Sequence, residues 1–331
     1  MHHPKMSSLP ASMASYDPEI PIAVMHIPKT SGSALHSALI RTIKPGSFKH
    51  GYDGVLFGTF AAFKSMSPEI RQQIFLNWED LPPRVDMVHG HFAFSTLQSR
   101  YPNYQFMTFL REPYSRILSH WLYWRTQRDD ELAGWGDWGT DYVRLARQPL
   151  AQFLVDATLA GQIDNLCTRM LLWPHPNIPD SGFIDERHDE VLISTALARL
   201  RKFHYVDVVE NRDRITGLGR WLGQQVVVER VNETRLCASA HVTHISDELT
   251  RETRALLNAR SRLDLVLWKV VSQHRGPFYR PQLIQERVVN ESTKHFARLM
   301  RGPNLRLVHQ PKPLARLANG TSRNKVSVAS G

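Results

Sequence analysis

The sequence predicts an α/β protein, with a mainly parallel sheet carrying helices on both faces in three layers. Three observations carry this. Short apolar runs alternate with helical patterns along the chain. Residues 21–43 (PIAVMHIPKTSGSALHSALIRTI) read as strand, loop and helix. Residues 105–127 repeat that grammar: the apolar run QFMTFL, a short polar link, then a helix opened by Pro113. Strands that alternate with helices pair in parallel, because each crossover returns the chain to the same end of the sheet.

In the first unit, Ile22, Ala23, Val24, Met25 and Ile27 make a buried strand, and Ala34, Leu35, Ala38, Leu39 and Ile43 recur at helical spacing. Between them stand Pro28, Lys29, Thr30, Ser31, Gly32 and Ser33. A lysine, three hydroxyls and a glycine thus open a helix, where unpaired N–H groups and the macrodipole favour an anion. Taken alone, the stretch also fits an ordinary strand–turn–helix with a capping serine. It is not a Walker A loop, since the lysine precedes the glycine, so ATP with magnesium is not the first expectation.

Downstream, 44–58 is glycine-rich and polar, a loop. Ser67-Pro68-Glu69 starts a helix running to about Trp78, stopped by Leu81-Pro82-Pro83. A short strand at 85–88 leads into His89-Gly90-His91. After the helix that ends near 127, the acidic stretch 128–141, with Trp135 and Trp138, reads as an exposed loop. Helices are expected at 150–160 and 163–172, a proline-rich break at 174–179, and a helix at 186–202. A strand at 205–209, a helix at 215–222 and a strand at 225–229 follow. The last helices are expected at 247–257 and 261–271.

The chain has 331 residues, 42% hydrophobic and 22% charged, enough for one large α/β domain. Its net charge of +10 fits either a solvated basic surface or a polyanionic partner. Cys167 and Cys237 form no disulfide framework; two free thiols are the simplest reading, with a single bridge possible. No apolar run is long enough to cross a membrane, and the first residues lack a signal-peptide core. Residues 1–20 read as a disordered lead-in, 21–300 as the folded domain, and 301–331 as a basic disordered tail. The sequons at Asn232, Asn290 and Asn319 are taken as chance.

Two further sites bear chemistry. Arg111 follows a strand, at the end of the sheet where open α/β folds bind ligands. Arg116 and Ser119 lie one turn apart on the next helix, a guanidinium and a hydroxyl that suit a phosphate. A first helical turn with surface arginines reads the same way. His89 and His91, two residues apart on an extended segment, point the same way. A neutral imidazole at pH 7 can take a hydroxyl proton; a pair of hydrogen-bonded loop histidines fits as well. No Cys, Asp or Glu stands nearby at ligand spacing, so no metal site is expected.

The loop HIPKTSGS resembles the 5′-phosphosulfate loop (PKTGGT and close variants) of carbohydrate sulfotransferases, which use 3′-phosphoadenosine-5′-phosphosulfate (PAPS). R-x-P-x-x-R-x-x-S at 111–119 resembles their 3′-phosphate motif. His-Gly-His between the two is similar to the heparan sulfate 2-O-sulfotransferase and uronyl 2-sulfotransferase branch. The resemblance implies a P-loop-like sulfotransferase fold and in-line sulfuryl transfer from PAPS to a carbohydrate hydroxyl without a metal. It implies Lys29 on the bridging oxygen, Lys29, Thr30, Ser31, Gly32 and Ser33 around the 5′-phosphosulfate, and Arg111 and Ser119 on the 3′-phosphate, with Arg116 in the same element. His91 becomes the base, and His89 its support or an acceptor contact. Ser31 departs from the glycine of PKTGGT and tightens the backbone. Asn165-Leu166-Cys167-Thr168-Arg169-Met170-Leu171 resembles an N-L-x-T-R-x-L segment of bacterial sulfotransferases and is given no role.

Family members in animals are membrane-anchored; without an anchor here, a soluble, cytoplasmic, bacterial-type enzyme with no nucleic-acid partner is expected. Trp121 and Trp124 are assigned to the core and Trp135 and Trp138 to acceptor contact, while Arg251, Arg254, Arg260 and Arg262 are expected to be solvated. Two rivals are a P-loop-like kinase, which needs ATP and magnesium, and a non-catalytic binder of acidic glycans or nucleic acid.

Overall fold

The computed structural model of the chain describes residues 15–54, 63–127, 132–229 and 245–275, with a few isolated positions after 282. In chain order the elements are β1 (Ile22–Met25), α1 (Gly32–Ile43), β2 (Phe48–Asp53), α2 (Pro68–Arg71), β3 (Ile74–Phe75), β4 (Met87–His91), α3 (Phe94–Arg100), β5 (Gln105–Leu110) and α4 (Pro113–Arg125). They continue as α5 (Gly136–Ala146), α6 (Leu150–Val155), α7 (Ala160–Ile163), α8 (Leu166–Leu172), α9 (Asp189–Leu200), β6 (Tyr205–Val208), α10 (Arg214–Leu222), α11 (Ile245–Glu248) and α12 (Arg251–Arg275).

The strands form one sheet in the order β3-β2-β4-β1-β5-β6, and all its pairings are parallel. The three-layer α/β/α expectation is met. Period-two alternation sorts the strand residues. Ile22, Val24, Met87, Met107 and Phe109 pack with Leu35 and Leu39 of α1 and Trp221 of α10. Ala23, Met25, Val88, Phe106 and Leu110 pack with α3, α8, α9 and α12 through Leu97, Met170, Leu192 and Trp268. The neighbours β1 and β4 thus send their following helices to opposite faces. Such a divergence opens a crevice at the carboxyl ends of the strands, where ligands bind in open α/β sheets. A third cluster, around Trp121, Tyr142 and Phe153, packs α4 against α5 and α6.

Several expected elements differ. The loop at 44–58 contains β2, whose alternation of Phe48, His50 and Tyr52 is diluted by polar residues and Gly51. The helix expected from 67 to 78 stops at Arg71, and β3 follows. His89-Gly90-His91 lies inside β4, not after it. Gly90 makes this possible, since a Cβ there would sit 2.0 Å from the Gly51 carbonyl oxygen. Residues 132–141 are not an exposed loop: a 3-10 turn and α5 occupy them. Residues 225–229 form no strand, because Val226 packs with α1 and α10 and Val227 accepts a bond from Arg41. The two last helices are one, Arg251–Arg275, with no breaker between their halves.

The lead-in is structured from Tyr16 onward. The Tyr16 amide donates to the Trp221 carbonyl, and Gln105 holds both the amide and the carbonyl of Asp17. Residues 1–14, the tail at 301–331, Asn232 and Cys237 lie outside the described residues. Cys167 is a buried free thiol. No helix among the described residues is long and apolar enough to cross a membrane.

Candidate functional site

The loop after β1 is built from two left-handed residues, Lys29 (φ 71°) and Ser31 (φ 66°). Thr30 between them is buried, and its amide and hydroxyl both donate to the Ile27 carbonyl, at 3.3 and 2.8 Å. Its hydroxyl therefore closes the turn and is not presented to a ligand, which corrects the role expected for it. Ser31 is the N-cap of α1, but its side chain makes no capping bond. The N–H groups of the first helical turn, from Gly32 on, are thus left by the cap to whatever anion the macrodipole attracts. Ser33 is the second residue of that turn; its side chain lies outside the described residues. Gly32 abuts His26, and a Cβ there would lie 1.8 Å from the imidazole. Ser31 occupies the position of a glycine in PKTGGT, and a left-handed serine costs about 1 kcal/mol.

Arg111 stands at the carboxyl end of β5. Its Nη1 donates to the Lys29 carbonyl at 3.0 Å and its Nε to Ser115 Oγ at 2.7 Å. Glu112 caps α4, accepting from the Tyr114 and Ser115 amides, and Glu210 accepts from the Glu112 amide and from Trp268 Nε1. Burial pushes the Glu112 carboxyl up to about 8, with Glu210 adding to it. Ser119 is buried one turn beyond Ser115, on the Arg111 side of α4. Arg116 departs from expectation. Its two terminal nitrogens donate to the Gln162 carbonyl at 3.3 Å, and Asp264 is the opposite charge that acts on it most. It braces α4 against α7 and does not join the loop.

Lys29 places its ammonium 4.0 Å from the centre of the Tyr123 ring. Burial, with Arg111 adding to it, brings the amine down to about 7. His91 and Tyr52 pair in register across β4 and β2, with rings 5.4 Å apart. The Nδ1 of His91 lies 2.7 Å from the His26 carbonyl oxygen. A carbonyl can only accept, so Nδ1 carries the proton and the lone pair sits on Nε2, the tautomer a base requires. Burial holds His91 down to about 4, so it is neutral at pH 7.

His89 is different. It is buried, its Nδ1 faces His50 Nδ1 at 3.4 Å, and its Nε2 has no hydrogen-bond partner. It belongs to a seam of imidazoles with His36 at 4.4 Å, His26 at 5.1 Å and His50 at 5.6 Å between ring centres. Two protonated rings at about 5 Å would repel by roughly 3 kcal/mol at an effective dielectric near 20. Burial lowers all four, His36 to about 4. Despite this density, no group of three or more His, Cys, Asp or Glu among the described residues is placed to hold a metal ion.

The structure therefore brings Lys29, Ser31, Gly32, Arg111 and His91 to the carboxyl edge of the sheet, with Ser119 close by in α4. Sequence reasoning missed His26, His36, His50, Tyr52, Ser115, His120 and Tyr123. The alternation in FKHGYD was the available signal for His50 and Tyr52. His120, on α4, is buried and bonded to the Tyr142 hydroxyl at 2.9 Å. Trp121 and Trp124 are buried as expected. Trp135 and Trp138 are half-buried and pack with each other and with Tyr52 and Tyr142, so they form a wall beside the site. The N-L-C-T-R segment is structural. Asn165 Oδ1 accepts from the Leu263 amide, Asp264 caps α8 through Cys167 and Thr168, and Arg169 pairs with buried Asp164 at 2.9 Å. Arg260 stacks on Phe183 and Arg262 pairs with Asp189, so these two are not merely solvated. No family model and no curated protein matches the chain.

Proposed function

We propose that the chain transfers a sulfuryl group from PAPS to a hydroxyl of a carbohydrate acceptor. The observation that carries the reading is the convergence of Lys29, the uncapped start of α1 and Arg111 on one edge of the sheet, with the His91 imidazole beside them in its base tautomer. The 5′-phosphosulfate rests on the α1 amides, as anions do at helix N-termini. Arg111, with Ser119, takes the 3′-phosphate. The acceptor hydroxyl attacks sulfur in line and gives its proton to His91 Nε2. The bond from sulfur to the bridging oxygen breaks, and the charge that develops on that oxygen is met by the Lys29 ammonium and the helix amides. The product nucleotide, 3′-phosphoadenosine-5′-phosphate (PAP), leaves. The nucleotide and the carbohydrate class of the acceptor come from the motif resemblance; the aromatic wall of Tyr52, Trp135 and Trp138 gives a sugar ring a face to stack on. The test is transfer of label from PAPS to a panel of glycans. Wild-type turnover with loss in Lys29→Ala supports the reading, and no transfer to any glycan together with no PAP binding contradicts it.

A further inference from the structure

The four rings of His26, His36, His50 and His89 come from four elements: the end of β1, the first half of α1, β2 and β4. They meet in the seam between α1 and the sheet, with ring centres as close as 4.4 Å. His26 Nε2, His36 Nδ1 and His89 Nε2 are buried with no hydrogen-bond partner. Buried polar atoms are rarely left so, and a group of three in one seam calls for a reason. An apolar seam would hold α1 more firmly.

We propose that these four histidines form an acid-operated latch, which seats the start of α1 while the rings are neutral and releases it when protons enter. The described groups that act most strongly on the rings are basic or neutral. Lys29 acts on His26 from the loop, Lys49 acts on His50 from the opposite face of β2, where it lies over Phe75, and His91 acts on His26 and His89 from β4. The Tyr52 ring lies 5.5 Å from His50, and Phe48 meets His36. No carboxylate is among the described groups that act most strongly on these four rings. One proton entering the seam therefore finds no counter-charge, and a second meets the first across the narrow gap between rings.

Three of the rings sit on strands or directly after one, while His36 rides on α1. Separation of charge is thus a movement of α1 from the sheet. From Leu35 on, α1 is pinned in the core by Leu35, Ala38 and Leu39, whereas ahead of Leu35 it touches the sheet side through Gly32 on His26. The first turn and the loop that carries Lys29 open first. Acid thereby scatters the ammonium and the helix amides before the rest of the sheet melts.

The test is hydrogen exchange on the full chain between pH 7.5 and pH 5, corrected for the intrinsic rate. Protection of the hydrogen-bonded amides of Thr30 and Leu35, within 30–36, is expected to fall about a hundredfold per pH unit once two protons are linked to opening, while β5 and α12 hold theirs. His36→Phe keeps a ring in the seam and removes one proton site, so its opening should move to lower pH. Equal protection loss in all elements, or an unchanged pH dependence in His36→Phe, overturns the latch. If His36→Phe does not fold, the imidazole Cε1–H resonances of the wild type decide. Rings that titrate singly near 6.5 with no opening at 30–36 overturn it, and rings that stay neutral until 30–36 opens support it. No nucleotide enters the experiment, so a chain that bound no PAP would leave this result standing.

Discussion

The Arg111 guanidinium donates to the carbonyl oxygen of Lys29 at 3.0 Å, joining two loops that lie 82 residues apart in sequence. The bond fixes the peptide after a left-handed lysine and places both cations at the mouth of one crevice. It also makes Arg111 a support for the loop as well as a ligand group.

Arg111→Ala is therefore expected to weaken PAP binding by about ten- to a hundredfold, since hydrogen bonds to charged groups contribute about 1.5–3 kcal/mol. Turnover at saturating PAPS should fall less than affinity. Arg111→Lys should recover little, because an ammonium cannot serve Lys29, Ser115 and a phosphate with one planar fork. Calorimetric titration beside steady-state kinetics separates the two effects.

His91→Ala should keep PAP affinity and lose turnover by a factor of about a hundred or more, the usual contribution of a general base. His89→Phe should retain turnover within about tenfold, since the His89 ring is buried in the seam. The opposite pattern would move the base from His91 to His89.

The pH dependence of kcat/KM follows from two groups. His91 must be neutral, and burial places its loss of a proton at about 4. Lys29 must be charged, and burial places its loss of a proton at about 7. The profile should rise through the first value and fall through the second. Lys29→Arg should abolish the alkaline limb, because a guanidinium keeps its proton.

Ser31→Gly should stabilise the protein by about 1 kcal/mol, because glycine adopts the left-handed conformation without strain. Gly32→Ala should do the reverse, by at least about 1–3 kcal/mol, since its Cβ must displace the His26 ring. Thermal melts of both variants check the pair.

Acid stability gives a further check. The seam histidines lie below 6.5 in the fold and near 6.5 when unfolded, so the unfolded chain binds more protons as pH falls below 6.5. Stability is full above that value and is lost as pH falls below it, at about 1.4 kcal/mol per pH unit for each ring that stays neutral in the fold while its unfolded counterpart is protonated. Replacing His36 and His50 together by Phe should flatten the curve.

Much of this was legible in the sequence where the local pattern and the fold agree. The strand, loop and helix at 21–43 and the boundaries of β5 follow from runs, apolar but for Gln105 and Thr108, that are buried on both faces. β2 was not legible, because a strand whose inner face carries His50 and Tyr52 has no apolar alternation to read. The roles of Thr30 and Arg116 were misread for another reason. Their residue types suit a phosphate, but only the fold reveals that Ile27 and Gln162 already hold them. The seam could not be assembled from sequence, since register and the seating of α1 bring its four rings together.

The measurement that tests the central claim most directly is calorimetric titration of the full chain with PAP and with ATP, each with and without magnesium. The account predicts micromolar, magnesium-independent binding of PAP, lost in Lys29→Ala and Arg111→Ala, with ATP much weaker. Preference for ATP with magnesium, or no binding of either nucleotide, would contradict it.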